Sequence, residues 1–89
     1  MLLKNTVTIL PLSKRQKHYL EKHDLIAIFE KQSALFEQNP RHPSLHTEIL
    51  EPKHLHIYSF RVTRSVRAMF VYCGNETIEI VDINHHYND

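Results

Sequence analysis

The sequence contains a single cysteine, Cys73, so no disulfide can form within the chain. A lone thiol is typical of a reducing compartment, and Cys73 lies inside an apolar stretch, where we expect it to pack. No apolar run approaches the roughly 20 residues that span a bilayer, and the opening residues become polar too soon for a secretory signal. We therefore expect a cytoplasmic protein. The formal net charge is only +1, which excludes the uniformly basic surface of many nucleic-acid-binding proteins.

The composition is sufficient for one small folded domain. The 89 residues are 42% hydrophobic and 24% charged, a balance typical of a globular chain rather than a disordered one. Division into two domains would leave neither half with an adequate core. We therefore predict a single domain over residues 1–89.

The first part of the sequence predicts one strand and one short helix. β-Branched residues alternate over positions 5–10, and Pro11 ends this strand because it lacks an amide donor. Ser13 stands in front of a polar run at 14–22, where a serine hydroxyl can accept from the free amides of a first helical turn. This run predicts a basic helix.

A second helix and three strands are predicted to follow. Asp24 is a candidate cap for a helix whose apolar residues recur every three or four positions, and Pro40 ends it by barring its predecessor from helical angles. Residues 40–54 hold three prolines and predict a long connection. The period then changes to that of strands, in an antiparallel meander over 55–62, 66–73 and 77–84.

The predicted order is strand, helix, helix and three strands, which is a small α+β fold. We expect an antiparallel sheet with the two N-terminal helices packed on one face. The other face is then open to solvent or to a ligand.

Cations are concentrated in the predicted hairpin. Arg61 and Arg67 lie on consecutive strands, with Arg64 at the turn between them. A guanidinium stays charged and offers a planar fork of donors that matches phosphate oxygens, so these residues predict a phosphate-binding face. Their alternative role is solvated cover of a strand. The basic helix offers a second group that could follow a nucleic-acid backbone, or simply face solvent: Lys14, Arg15 and Lys17.

Histidine is unusually frequent, with eight residues in the chain, and His85 and His86 end the last predicted strand. Near neutral pH a histidine can take a proton from one oxygen and return it to another, as attack of a ribose 2′-hydroxyl on its own phosphate requires. Adjacent strand residues face opposite ways, so we expect at most one of the pair in a shared site. His54 and His56 alternate along a predicted strand and could form a three-imidazole zinc site with His85 or His86. No companion carboxylate or cysteine lies at a recognised spacing, and we predict no bound metal.

Three parts of the sequence carry a family resemblance. They are residues 39–47 (NPRHPSLHT), the hairpin residues 58–62 (YSFRV) with 65–70 (SVRAMF), and residues 78–86, which end in DINHH. Together they resemble the RelE/ParE superfamily of toxin–antitoxin toxins, most closely its YafQ-like branch of ribosome-dependent mRNA endonucleases. The helix content and strand order also agree with that family over nearly the entire chain.

The resemblance implies a RelE-like toxin that enters the ribosomal A site and cuts mRNA there, with no metal or other cofactor. It implies His86 as general acid or base with His85 adjacent, Arg67 and Arg61 as phosphate ligands, and His46 as an auxiliary proton-transfer group. The residues that would contact RNA around them are Lys14, Arg15, Lys17, Arg64 and Tyr87.

The resemblance also implies partners and leaves rival functions open. A cognate antitoxin would cover the basic cleft with an acidic or amphipathic segment, in a toxin–antitoxin hetero-oligomer. The first alternative is a ParE-like protein that inhibits DNA gyrase by binding it, and the second is a decayed toxin that only binds its antitoxin. Fold alone does not separate these functions. The combination of His86 with Arg67 favours cleavage.

Overall fold

The computed structural model describes residues 6–85, and its first helix begins as the sequence predicts. The Ser13 hydroxyl accepts from the Gln16 amide at 3.1 Å, and the Gln16 side chain accepts from the Ser13 amide at 3.1 Å. This reciprocal cap satisfies two amides that have no partner inside the helix. The helix, α1, spans Lys14–Lys22.

The second helix, α2, spans Ile26–Gln38 and ends directly before Asn39 and Pro40, as predicted. The predicted cap at Asp24 is wrong. Leu25 is the N-cap residue and makes no side-chain cap, while Asp24 has a φ of 56° in the turn between the helices. Aspartate tolerates this left-handed conformation better than most residues, and here it serves the turn rather than the helix end.

Within residues 6–85, five strands form one mixed sheet in the order β1-β5-β4-β3-β2. The strands are β1 Thr8–Ile9, β2 Glu48–Ile49, β3 Tyr58–Arg61, β4 Val66–Tyr72 and β5 Thr77–His85. The predicted meander of the last three strands is confirmed. The predicted purely antiparallel sheet is wrong at one edge, because β1 pairs with β5 in parallel. A parallel pair needs a crossover connection, which the intervening helices and strands supply.

The predicted connection over 40–54 contains more structure than the sequence indicates. It includes β2 and two short 3₁₀ helices, Pro43–Leu45 and Lys53–Leu55, so β3 begins at Tyr58 and not at residue 55. His54 therefore lies in a 3₁₀ helix and His56 is left-handed with a φ of 55°. The prediction that they alternate along a strand is wrong. Cys73, predicted to pack, lies past the end of β4 and is exposed.

The core lies between the helices and one face of the sheet, which we call the helix face. Phe36 of α2 is fully buried, with its ring centroid 4.8 Å from that of Phe60 and 5.0 Å from that of Phe70. Because strand residues alternate, the neighbours of Phe60 project to the opposite side, which we call the far face. Within residues 6–85, no helix is both long and apolar enough to cross a membrane.

Candidate phosphate-binding site

Two arginines lie side by side on the far face. Arg61 of β3 and Arg67 of β4 are cross-strand partners, and Asn84 of β5 is the next partner of Arg67 in the same row. Residues directly opposite in an antiparallel ladder project to one face, so the predicted convergence of these arginines is present in the sheet. Like charges in such a pair destabilise each other unless an anion or a carboxylate intervenes.

Arg67 is held by its surroundings. It is 9% exposed, and its Nε donates to Ser59 Oγ at 2.8 Å. Its Nη2 donates to the carbonyls of His46 at 2.5 Å and Ser59 at 3.3 Å, and lies 3.7 Å from a carboxylate oxygen of Glu48. Burial lowers the pKa of Arg67 from its usual value, Arg61 lowers it further, and Glu48 opposes both effects. Arg67 therefore fastens β4 to β3 and to the chain before β2.

Arg61 is differently placed. Its carbonyl accepts from Gln32 Nε2 at 2.9 Å, so the buried Gln32 of α2 fixes the main chain at this point. Its side chain is partly exposed, and among the described residues its buried Nε has no hydrogen-bond partner. A buried donor without an acceptor is costly, but the Arg61 Nε has too little accessible surface for a ligand to reach it. A ligand would bind instead to the exposed part of the Arg61 side chain.

Of the three predicted site histidines, the structure describes His46 and His85. His46 is exposed and left-handed with a φ of 45°, and its carbonyl, not its imidazole, contacts Arg67. His85 pairs with the buried Val66 and therefore projects to the helix face, where it lines a cavity of about 630 Å³ with His23. It is not on the side of the arginine pair. His86, like Tyr87, lies outside the described residues.

The other predicted RNA contacts are exposed but not all are close to the arginines. Helix α1 buries Leu20 against the helix face, so the sheet separates the α1 cations from the far face. Those cations are Lys14, Arg15 and Lys17. Arg64 lies in the turn between β3 and β4, within a few residues of both arginines. In the part of the chain that the structure describes, no group of three or more histidine, cysteine or acidic side chains could hold a metal ion.

No family model and no curated protein sequence matches the chain significantly. Among solved structures, it is similar to a YoeB/ParE toxin from Agrobacterium tumefaciens, with a TM-score of 0.68 over 92% of this chain and 99% of that one. The chain has a YoeB/ParE toxin fold. Sequence identity to that toxin is 15%, so the likeness concerns the fold. The expected RelE/ParE type of fold is supported, and the YafQ-like branch stays a prediction.

The sequence analysis did not identify three residues of this candidate phosphate-binding site. Ser59 was detectable in principle, because it alternates with Phe60 and so shares a face with Arg61. Glu48 and Gln32 were not, since one lies in a strand hidden inside the predicted connection and the other is a polar residue buried on α2. Their contacts depend on how distant segments meet.

Proposed function

We propose that this protein is the toxin of a toxin–antitoxin pair and a ribosome-dependent mRNA endonuclease of YafQ-like type, acting in the cytoplasm. One observation carries the proposal. Within a YoeB/ParE toxin fold, Arg61 and Arg67 are paired side by side on the far face, and the Arg61 side chain is partly exposed. A phosphodiester could accept from the exposed part of Arg61 and would reduce the repulsion between the two guanidinium groups.

The proposed reaction is an internal phosphoryl transfer. The ribose 2′-oxygen attacks the adjacent phosphorus as the bond to the 5′-oxygen breaks, leaving a 2′,3′-cyclic phosphate and a 5′-hydroxyl. One group must remove the 2′-hydroxyl proton and another must give a proton to the departing oxygen. We assign these transfers to His86 and to His46, which is adjacent to Arg67 through its carbonyl.

The arginines have separate roles in this proposal. Arg61 binds the scissile phosphate and stabilises the charge that develops on it. Arg67 adds positive charge but acts mainly by holding Ser59 and the His46 carbonyl in place. His85 receives no role in proton transfer, because it projects to the helix face.

The proposal includes a protein partner. A cognate antitoxin with an acidic segment would neutralise the arginine pair and exclude the phosphate backbone from it. The resulting hetero-oligomer would keep the toxin inactive.

The deciding experiment uses purified protein in a defined translation reaction, with mRNA ends mapped by primer extension. Ribosome-free RNA and a gyrase supercoiling reaction are run in parallel. New ends in the A-site codon that require ribosomes support the proposal. Intact mRNA with inhibited gyrase would assign the protein to the ParE-like class, and no effect in either reaction would favour a toxin that only binds its antitoxin.

Variants then test the assigned residues. His86→Ala is expected to reduce cleavage about 10²–10⁴-fold with folding unchanged, the usual cost of losing a proton-transfer group. His54→Ala is the matched control, because His54 is an exposed histidine on a separate 3₁₀ helix. Wild-type cleavage by His86→Ala would remove His86 from the mechanism. Equal losses in both variants would indicate a general effect of histidine removal.

A further inference from the structure

A tyrosine at the end of β4 is exposed yet fixed in position. Tyr72 keeps 44% of its surface open. Its ring centroid lies 5.5 Å from that of Tyr58 and 5.8 Å from that of Phe70, with interplanar angles of 83° and 77°. These edge-to-face contacts restrict the ring while much of it faces solvent. A base that stacked on Tyr72 would therefore lose little side-chain freedom on binding.

The same tyrosine lines a cavity with a cation at its rim. The cavity has a volume of about 520 Å³, within the usual range of about 300–1,000 Å³ for small-molecule sites. Arg41 and Tyr72 also line a neighbouring cavity of about 390 Å³. Residues of the larger cavity that bear on ligand binding are Arg41, His42, His46, Glu48, Tyr58 and Tyr72.

The charge of Arg41 affects the ionisation of Tyr72. Burial and Tyr58 raise the pKa of Tyr72 above its usual value of 10.0, while Arg41 opposes this rise through its charge. The Tyr72 hydroxyl is therefore neutral near pH 7 and can donate or accept a hydrogen bond. Arg41 itself is exposed, so its guanidinium can reach a phosphate.

Two residues that line the cavity also contact Arg67. His46 lines the cavity, and its carbonyl accepts from Arg67 Nη2. Glu48 also lines the cavity and lies 3.7 Å from the same nitrogen. Tyr72 pairs with the buried Ile78 and so projects to the helix face, whereas the arginine pair is on the far face. A polymer bound at the arginine pair would therefore reach Tyr72 by passing around the edge strand β2, whose two residues line the cavity.

We propose that this cavity binds one unstacked nucleotide of single-stranded RNA, with the base stacked on Tyr72 and a phosphate held by Arg41. The inference rests on the proposed function, because it takes RNA as the ligand of the arginine pair. An aromatic ring beside a guanidinium is the combination that binds single-stranded nucleic acid with little dependence on sequence. The cavity is therefore a second contact with the RNA, away from the bond that is cut.

The test measures binding without turnover, by amide NMR titration of the ribosome-free protein with AMP, UMP and inorganic phosphate. Saturable shifts with both nucleotides are expected at Arg41, His46 and Tyr72, and phosphate at equal concentration should give weaker shifts. Nucleotide shifts confined to Arg61 and Arg67, or none at all, would overturn the inference. So would equal shifts with phosphate, since they would leave the ring without a role.

Variants separate stacking from charge. Tyr72→Ala is expected to weaken AMP binding roughly five- to hundredfold, the usual range for one stacked base, whereas Tyr72→Phe keeps the ring and should retain most affinity. Arg41→Ala should weaken binding several-fold, and Lys31→Ala, which removes an exposed cation on α2, should not. If Tyr72→Ala does not fold, comparison of nucleotide binding by Arg41→Ala and Lys31→Ala tests the site instead. Undiminished binding by Arg41→Ala would count against the site.

The titration tests the cavity and the translation reaction tests the nuclease, so either proposal can be refuted without the other. Nucleotide binding at Tyr72 without cleavage would contradict the nuclease and leave the cavity as an RNA-binding site. Cleavage without nucleotide shifts at Tyr72 would support the nuclease and overturn the inference about the cavity.

Discussion

Removal of Arg67 and removal of Arg61 are predicted to have different consequences, although the two residues are neighbours in the sheet. Arg67→Ala should destabilise the protein, whereas Arg61→Ala should leave its stability nearly unchanged and impair RNA cleavage. The difference follows from their contacts. Arg67 donates to Ser59 and His46, while the Arg61 Nε has no partner among the residues that the structure describes.

These contacts set the loss of unfolding free energy that each substitution should cause. A hydrogen bond to a charged group is worth about 1.5–3 kcal/mol, and Arg67 makes two short ones. The longer contact with the exposed Glu48 adds about 0–1 kcal/mol. Burial of the charge and repulsion from Arg61 offset part of this sum. A net loss of about 2–4 kcal/mol is expected for Arg67→Ala, and less than about 1 kcal/mol for Arg61→Ala.

Thermal and urea denaturation of the two variants test this difference directly. A loss of 2–4 kcal/mol in a domain of this size lowers Tm by roughly 10–30 °C. Arg64→Ala, in the exposed turn, is the control and should melt within a few degrees of the wild type. If Arg67→Ala melts with the wild type, or if Arg61→Ala is the less stable of the two, the assignment of roles is refuted.

Three further predictions concern the scaffold and one of its tyrosines. Ser13→Ala removes the reciprocal cap of α1 and should cost about 1 kcal/mol, seen as a Tm lower by roughly 4–8 °C. Phe36→Ala empties the centre of the core and should cost about 3–5 kcal/mol, enough for loss of cooperative unfolding in urea. Folding raises the pKa of Tyr72 above its usual value of 10.0, so the neutral tyrosine stabilises the folded state. This contribution is complete below pH 10.0 and is lost as the pH rises through the folded-state pKa. Tyr72→Phe should therefore remove a component of the tyrosinate absorbance titration that lies above pH 10.0, and a curve unchanged above that pH would contradict the raised pKa.

Local signals predicted much of the fold. The Ser13 cap, the apolar period of α2 and the stop before Pro40 depend on residues within four positions of one another. Alternation likewise predicted β4 and β5 to within a residue or two. The error at Asp24 has the same origin, because a short polar residue suits a left-handed turn as well as a helix cap. Local preference could not choose between these two uses.

Of the candidate site, the sequence predicted the arginine pair but not the residues that hold it. The period of two places Arg61 and Arg67 on one face, and this was expected. The burial of Arg67 was not expected, because its contacts reach 21 residues back to His46. Nor was the Arg61 Nε that has no partner within residues 6–85. The face of His85 was also undecided, since a shift of one residue in register reverses it.

The helices, the meander and the clustering of arginines follow from local sequence, because each arises from residues close along the chain. Three features became visible only in the folded protein: β1 lies parallel to β5, a strand exists inside the proline-rich connection, and Tyr72 and Arg41 share a cavity. These features depend on pairing between segments far apart in the chain. Their free energy comes from hydrogen bonds and burial that exist only once the whole sheet has formed.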